Sequence, residues 1–161
     1  MDCDSDWAAD KVDRTSVSCV CISHGSHLIK FTVSTQGIIA LSSGEAEFIA
    51  SVKVSSTSLG TRSLAADLGL TVTPRLRMDS TAALGIYGRR GIGNIRHLHT
   101  PLLWVQERRA AKELETQKVP GERNPADLGT KELSFTVMQK HLERCGFRFA
   151  DGFHPKALRA Q

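Results

Sequence analysis

The stretch Ser42–Phe48, SSGEAEF, sets two glutamates two residues apart at the head of a segment patterned as a helix. Ser42 and Glu45 have the spacing of a capping box, in which the serine accepts from the amide of Glu45 and the glutamate reaches back to the amide of Ser42. Glu47 lies about 200° further round the helix and cannot share that task. It neighbours Ala46 and sits within a turn of Ile49 and Ala50, near the face that must pack. An acid there is costly unless it is paired or binds a cation. Aspartates recur at other places where elements should end: Asp4 or Asp6 in DCDSDWA, Asp79 in LRMDSTAA and Asp127 in NPADLGTK. Singly, each reads as a cap or a surface charge. Together they are hard oxygen donors without His or Cys among them, a set that suits Mg²⁺ or Mn²⁺ and points to metal-assisted phosphodiester chemistry. His97 and His99 flank one residue, but no third and fourth ligand accompany them, so zinc is not expected.

The elements that must position these acids follow from periodicity. TSVSCVCI (15–22) alternates and is rich in β-branched residues, and HLIKFTVS (27–34) follows after a short turn, which predicts a hairpin. Apolar residues recur at helical spacing from Ser43 to Leu68, although SSTSLGT in the middle is a poor helix former, and Gly69 is placed to close the helix. RLRMD (75–79) predicts a short strand, and STAALGIY (80–87) a short helix capped by Ser80 or Thr81. Thr100 is placed to cap a helix through LLWVQERRAAKE with Pro101 at its first position. LETQKVP predicts a strand, GERNPADLGT a loop and SFTVMQKHLERCG the last helix. The order is that of a mixed α/β sheet with helices packed on it.

A length of 161 residues fits one domain with a real core, and 40% hydrophobic against 24% charged residues is ordinary for a soluble globular chain. No run of about 18 apolar residues is present, so no transmembrane helix and no membrane partner are expected. The N-terminus MDCDSDWAAD is acidic and lacks the apolar core of a signal peptide. The net charge of +4 and a pI near 9.0 are compatible with a polyanionic partner. Cys3, Cys19, Cys21 and Cys145 form no C-x-x-C pair and read as reduced thiols, with Cys19 and Cys21 on one face of their strand. The glycine-rich loop GRRGIGNIRH carries Arg89, Arg90, Arg96 and His97, which read either as phosphate contacts or as a solvated basic loop.

In order and spacing, CDSDWA, IALSSGEAEFIA, LRMDSTAALGI, RRGIGNIRHLHTPLLWVQE and KVPGERNPADLGTK resemble the ribonuclease H domain at the C-terminus of copia-type retrotransposon Pol polyproteins, over roughly residues 3–147. The resemblance implies a ribonuclease H-like α/β fold: a mixed five-stranded sheet of order 3-2-1-4-5, with the second strand antiparallel and helices flanking it. The domain would span 1–147, with a basic tail over 148–161. The resemblance also implies endonucleolytic hydrolysis of the RNA strand of RNA–DNA hybrids during reverse transcription, in a cytoplasmic retroelement particle or in the nucleus. The catalytic and metal-holding residues it implies are Asp4, Glu47, Asp79 and Asp127, around two Mg²⁺ ions for which Mn²⁺ can substitute. Asp6, Glu45, Ser80 and Asn124 then become capping or supporting groups. The implied partners are the hybrid, gripped without base reading through backbone and 2′-hydroxyl contacts, and a reverse transcriptase domain of the parent polyprotein. Integrase-like relatives of the superfold place their glutamate third along the chain, whereas here Glu47 comes second.

The chain departs from the family pattern at its first strand, most of which would lie before Cys3. A largely truncated central strand is expected to leave its neighbours unpaired and Asp4 poorly placed. Asp2 also brings a charge to a position expected to be apolar. His99, Pro101 and Cys19 stand where the family usually has other residues. The alternative reading is a catalytically silent remnant that binds nucleic acid or packs against a reverse transcriptase.

Overall fold

A computed structural model describes residues 1–93, 95, 97, 98 and 100–149. Five strands form one sheet in the order β3-β2-β1-β4-β5. The strands are β1 (Asp2–Ser5), β2 (Val17–His24), β3 (His27–Thr35), β4 (Arg75–Met78) and β5 (Glu115–Lys118). β2 is antiparallel to β1 and β3, while β1, β4 and β5 run parallel. The helices are α1 (Ser43–Asp67), α2 (Thr81–Gly88), α3 (Trp104–Ala110) and α4 (Phe135–Arg144). This is the mixed sheet and strand order that the sequence led us to expect.

The long helix α1 runs unbroken through the SSTSLGT stretch. Hydroxyls there bond back one turn, Ser55 to the carbonyl of Ser51 (2.6 Å), Thr57 to Lys53 (3.1 Å) and Thr61 to Thr57 (2.9 Å). These bonds and the burial of Ser51, Ser55 and Ser58 override the low intrinsic propensity. Gly69, at φ +77°, ends the helix as expected, with Gly69 N–H donating to Ala66 (2.9 Å) and Leu70 N–H to Ala65 (2.8 Å). The third helix departs from expectation. Thr100–Leu103 tightens into a 3₁₀ turn, and α3 starts only at Trp104. Pro101 fits the turn because its ring fixes φ and it has no amide to leave unpaired.

The main core lies between the sheet and α1, α2 and α3. It is built from Val20, Ile22, Phe48, Leu76, Met78, Tyr87 and Val105. Phe48 and Tyr87 meet edge to face at 6.4 Å, and the Tyr87 hydroxyl bonds Ser55 (2.8 Å). The opposite face is covered by α4 and by a 3₁₀ turn over Pro125–Gly129. There Cys21 lies 3.8 Å from Cys145 at the end of α4. A Cβ added at Gly129 would fall 2.6 Å from Val33 and 2.7 Å from the Cys19 sulfur, so only glycine lets that turn lie flat on the hairpin. All four cysteines are free thiols, and Cys19 and Cys21 share a face as their alternation predicts.

β1 corrects only in part the expectation of a truncated, poorly placed central strand, since residues 22–24 of β2 run past it and β4 registers with it at one pair alone. All four of its residues are buried and all four register with β2, Asp4 opposite Cys19 and Ser5 opposite Ser18. On its other side Asp2 pairs with Arg77, and Met1 adds two bonds, from its ammonium to the Arg75 carbonyl (3.0 Å) and from Arg77 N–H to its own carbonyl (2.8 Å). Asp2 does occupy a fully buried position, but Arg77 meets its carboxylate at 2.6 Å. The basic tail expected over 148–161 lies outside the described residues from position 150 onward. At its start Phe149 stacks on Phe135 at 5.9 Å.

The Asp2–Arg77 pair generates a stability prediction. Arg77→Ala leaves a carboxylate buried without a partner and should lower unfolding stability by about 2–3 kcal/mol in urea titrations. The double variant Asp2→Val with Arg77→Met removes both charges and should recover to within about 1 kcal/mol of the parent chain.

Candidate metal centre

Four acids arrive from four elements. Asp4 is the third residue of β1 and has no exposed surface. Asp79 directly follows β4, where Ser80 turns the chain into α2 by accepting from Ala83 N–H (3.1 Å). Asp127 lies inside the 3₁₀ turn Pro125–Gly129. Glu47 projects from the first turns of α1. Single carboxylate oxygens of Asp4, Asp79 and Asp127 all lie within 4.8 Å of one another. Glu47 is not one of those three but borders them, with the charges of Asp4 and Asp79 acting on it.

The paired glutamates separate as the capping argument predicts, with one change. Ser42 accepts from Glu45 N–H (3.3 Å), but the Glu45 carboxylate takes the amide of Leu41 (2.9 Å) rather than that of Ser42. The second oxygen of Glu45 pairs with His97 Nε2 (2.8 Å). Glu45 is therefore fully occupied in holding the start of α1. Among the described residues Glu47 accepts only from Ser5 N–H, at 3.4 Å, and its other oxygen is buried without a partner.

Burial and charge repulsion shape the titration of this site. Burial first, then the charges of Asp4 and Asp79, push Glu47 up to about 9. Burial also raises Asp4, opposed by a hydrogen bond from the Thr130 hydroxyl and by the charge of Lys131. Lys131 Nζ reaches Asp127 at 2.9 Å and Asp4 at 3.3 Å. Burial disfavours the Lys131 charge, but the hydrogen bonds and charges of Asp127 and Asp4 hold its pKa above the ordinary lysine value.

Several further groups hold the acids in place; Asn124 was anticipated as a supporting group, whereas Gln36 was not. Asn124 is fully buried, donates to the Cys3 carbonyl (2.9 Å) and accepts from Ala126 N–H (3.2 Å), so it ties the Asp127 turn to β1. Gln36 is buried with its amide nitrogen within hydrogen-bond distance of the Ser5 (3.0 Å) and Ser18 (2.8 Å) hydroxyls and the Ala46 carbonyl (2.9 Å), and its two N–H groups join α1 to the strands beside Glu47. Thr130 and Lys131 were visible as part of NPADLGTK, and the four-residue step from Asp127 to Lys131 was the available hint. Asp6 accepts from Val17 N–H and so ties the C-terminal end of β1 to β2.

The basic loop is partly engaged with the protein itself. Arg89 donates to the Ile92 carbonyl (2.6 Å), and His97 is held by Glu45. Arg90 is exposed. Arg96 lies outside the described residues, as does His99. No protein-family model, curated protein or solved structure matches the chain.

The raised pKa of Glu47 fixes a sign. A carboxyl whose folded pKa lies above its unfolded value contributes its full stability below the unfolded pKa, near 4.5, and loses it as pH rises toward about 9. In chelator-treated protein, stability should therefore fall across this window, by up to about 1.4 kcal/mol per pH unit from this group. Urea titrations of Glu47→Gln should give a visibly flatter pH profile than the parent chain.

Proposed function

We propose that the chain is a ribonuclease H-type endonuclease of copia-type retroelement origin, which hydrolyses the RNA strand of RNA–DNA hybrids with divalent metal. The observation that carries this reading is the convergence of Asp4, Asp79 and Asp127 within 4.8 Å, from three separate elements, with Glu47 beside them. The strand order and the motif resemblance support it, since the family has the same order and the same four acids.

The residues present fit hard divalent cations. The donors are all carboxylate oxygens, the separation is short enough for shared coordination, and one buried Glu47 oxygen has no protein partner. Asp4, Glu47, Asp79 and Asp127 would hold Mg²⁺, or Mn²⁺ in its place. Bound ions would supply an activated water and stabilise charge at the leaving 3′-oxygen. The chain's own contribution is geometric. Ser5 N–H orients Glu47, Asn124 fixes the Asp127 turn to β1, and the Thr130 hydroxyl fixes one oxygen of Asp4. Three of the four acids are thereby aimed before substrate arrives, so less reorganisation remains to be done during reaction.

Hybrid binding would rest on phosphate contacts, with Arg90 the exposed arginine of the described loop and Arg96 its sequence neighbour. A reverse transcriptase domain of the same polyprotein, in a retroelement particle, is the partner in this reading. Among the described residues no helix is long and apolar enough to cross a membrane.

The test is Mg²⁺-dependent cleavage of an end-labelled RNA–DNA hybrid, with duplex DNA as control. The parent chain should cut the RNA strand, and Asp79→Asn should lower the rate by ~100-fold or more. Hybrid binding without cleavage in either form would favour the catalytically silent reading. A second measurement bears on recognition. Arg90→Ala should weaken hybrid binding irrespective of sequence and reduce the slope of log affinity against log salt by about 1. An unchanged slope would assign the loop to solvent.

A further inference from the structure

Lys131 places its ammonium against two of the three converging aspartates, 2.9 Å from Asp127 Oδ1 and 3.3 Å from Asp4 Oδ1. We propose that Lys131 is a tethered counter-cation, which occupies the acid cluster in the metal-free protein and must be displaced when a divalent ion binds, so that it sets the metal concentration at which the site fills. The inference rests on the metal-dependent reading above.

The geometry supports competition rather than cooperation. The Asp4 carboxylate already accepts from Thr130 through Oδ2, and Lys131 takes Oδ1. A cation bridging Asp4 and Asp127 needs the space between the same two carboxylates. An ammonium and a divalent ion repel each other strongly at such separations, most of all beside the fully buried Asp4. Lys131 is also built to leave. Its side chain is 42% exposed, and the stem is long and flexible. The backbone that carries it stays fixed, because Lys131 N–H donates to the Asp127 carbonyl at 3.0 Å. The ammonium can thus swing to solvent without disturbing the ligand four residues earlier. An ion pair with such an exposed lysine stabilises the fold little, whereas the three converging aspartates without a cation would repel one another. Lys131 relieves that repulsion when metal is absent.

The experiment titrates Mn²⁺ calorimetrically into the full chain, into Lys131→Met and Lys131→Arg, and into Asp79→Asn as the site control. Lys131→Met should bind Mn²⁺ about 10-fold more tightly than the parent chain, while Lys131→Arg, which keeps the charge, should not gain. In the parent chain the ¹⁵N ammonium resonance of Lys131 should lose its carboxylate-bound position as Mg²⁺ saturates the site. This second readout decides the matter if Lys131→Met does not fold. Equal or weaker Mn²⁺ binding by Lys131→Met, or an ammonium resonance that saturating Mg²⁺ leaves in place, would overturn the inference while leaving the metal-dependent reading intact. Absence of Mn²⁺ binding in the parent chain and both Lys131 variants would remove the metal-dependent reading itself, and the inference with it.

Discussion

Mutual repulsion among carboxylates is the constraint around which this fold is organised. Asp4 has no exposed surface, and Asp79, Asp127 and Glu47 are brought up to it from different elements. No isolated segment would hold acids in that arrangement, because burial and like charge both act against it. The arrangement persists because each acid sits on backbone that is fixed for other reasons. β1 is paired on both sides, α1 is capped by Ser42 and Glu45, α2 is capped by Ser80, and the Asp127 turn is stapled to β1 by Asn124. What repulsion remains is met by one lysine and one threonine, and it adds to burial in raising the pKa of Glu47.

The two faces of the sheet divide the work. Between the sheet and α1, α2 and α3 lies an apolar core with a single aromatic pair at its centre. The face under α4 is more polar. Asp2 and Asp4 point to that side from alternate positions of β1, opposite Cys21 and Cys19 of β2. Asp2 meets Arg77 there, and Asp4 meets Thr130 and Lys131. The strand therefore carries one paired charge that supports the fold and, two residues on, one that belongs to the site.

Much of this was legible in the residues. The hairpin, the strands β4 and β5, the glycine that ends α1 and the distinction between Glu45 and Glu47 follow from period, caps and spacing, whereas the strand order came from the motif resemblance. The failures have physical causes. Propensity undervalued the SSTSLGT stretch because it counts neither the back-bonding of hydroxyls nor the burial of serines against the sheet. It placed the start of α3 too early because Thr100 and Pro101 suit a 3₁₀ turn as well as an α-helical one. β1 was underrated because counting residues says nothing of how completely a four-residue strand can be paired. Gln36 could not be seen at all, and Asn124 was visible only as a supporting group that the resemblance implied. An amide side chain becomes a fastener only when three distant segments converge on it, and that convergence belongs to the tertiary structure.

The contact at Gly129 has a mechanical consequence. Because Gly129 has no side chain, the backbone bearing Asp127 rests directly on the side chains of Cys19 and Val33 in the β2–β3 hairpin. One layer of side chains rather than two lies between them, so fewer rotamer changes are available to absorb a displacement. A force applied to the outer strand β3 would therefore reach Asp127 with less damping than across a contact of two side-chain layers. The exposed edge of the sheet and the acid cluster are in mechanical contact through Val33, although β3 contributes no residue to the cluster.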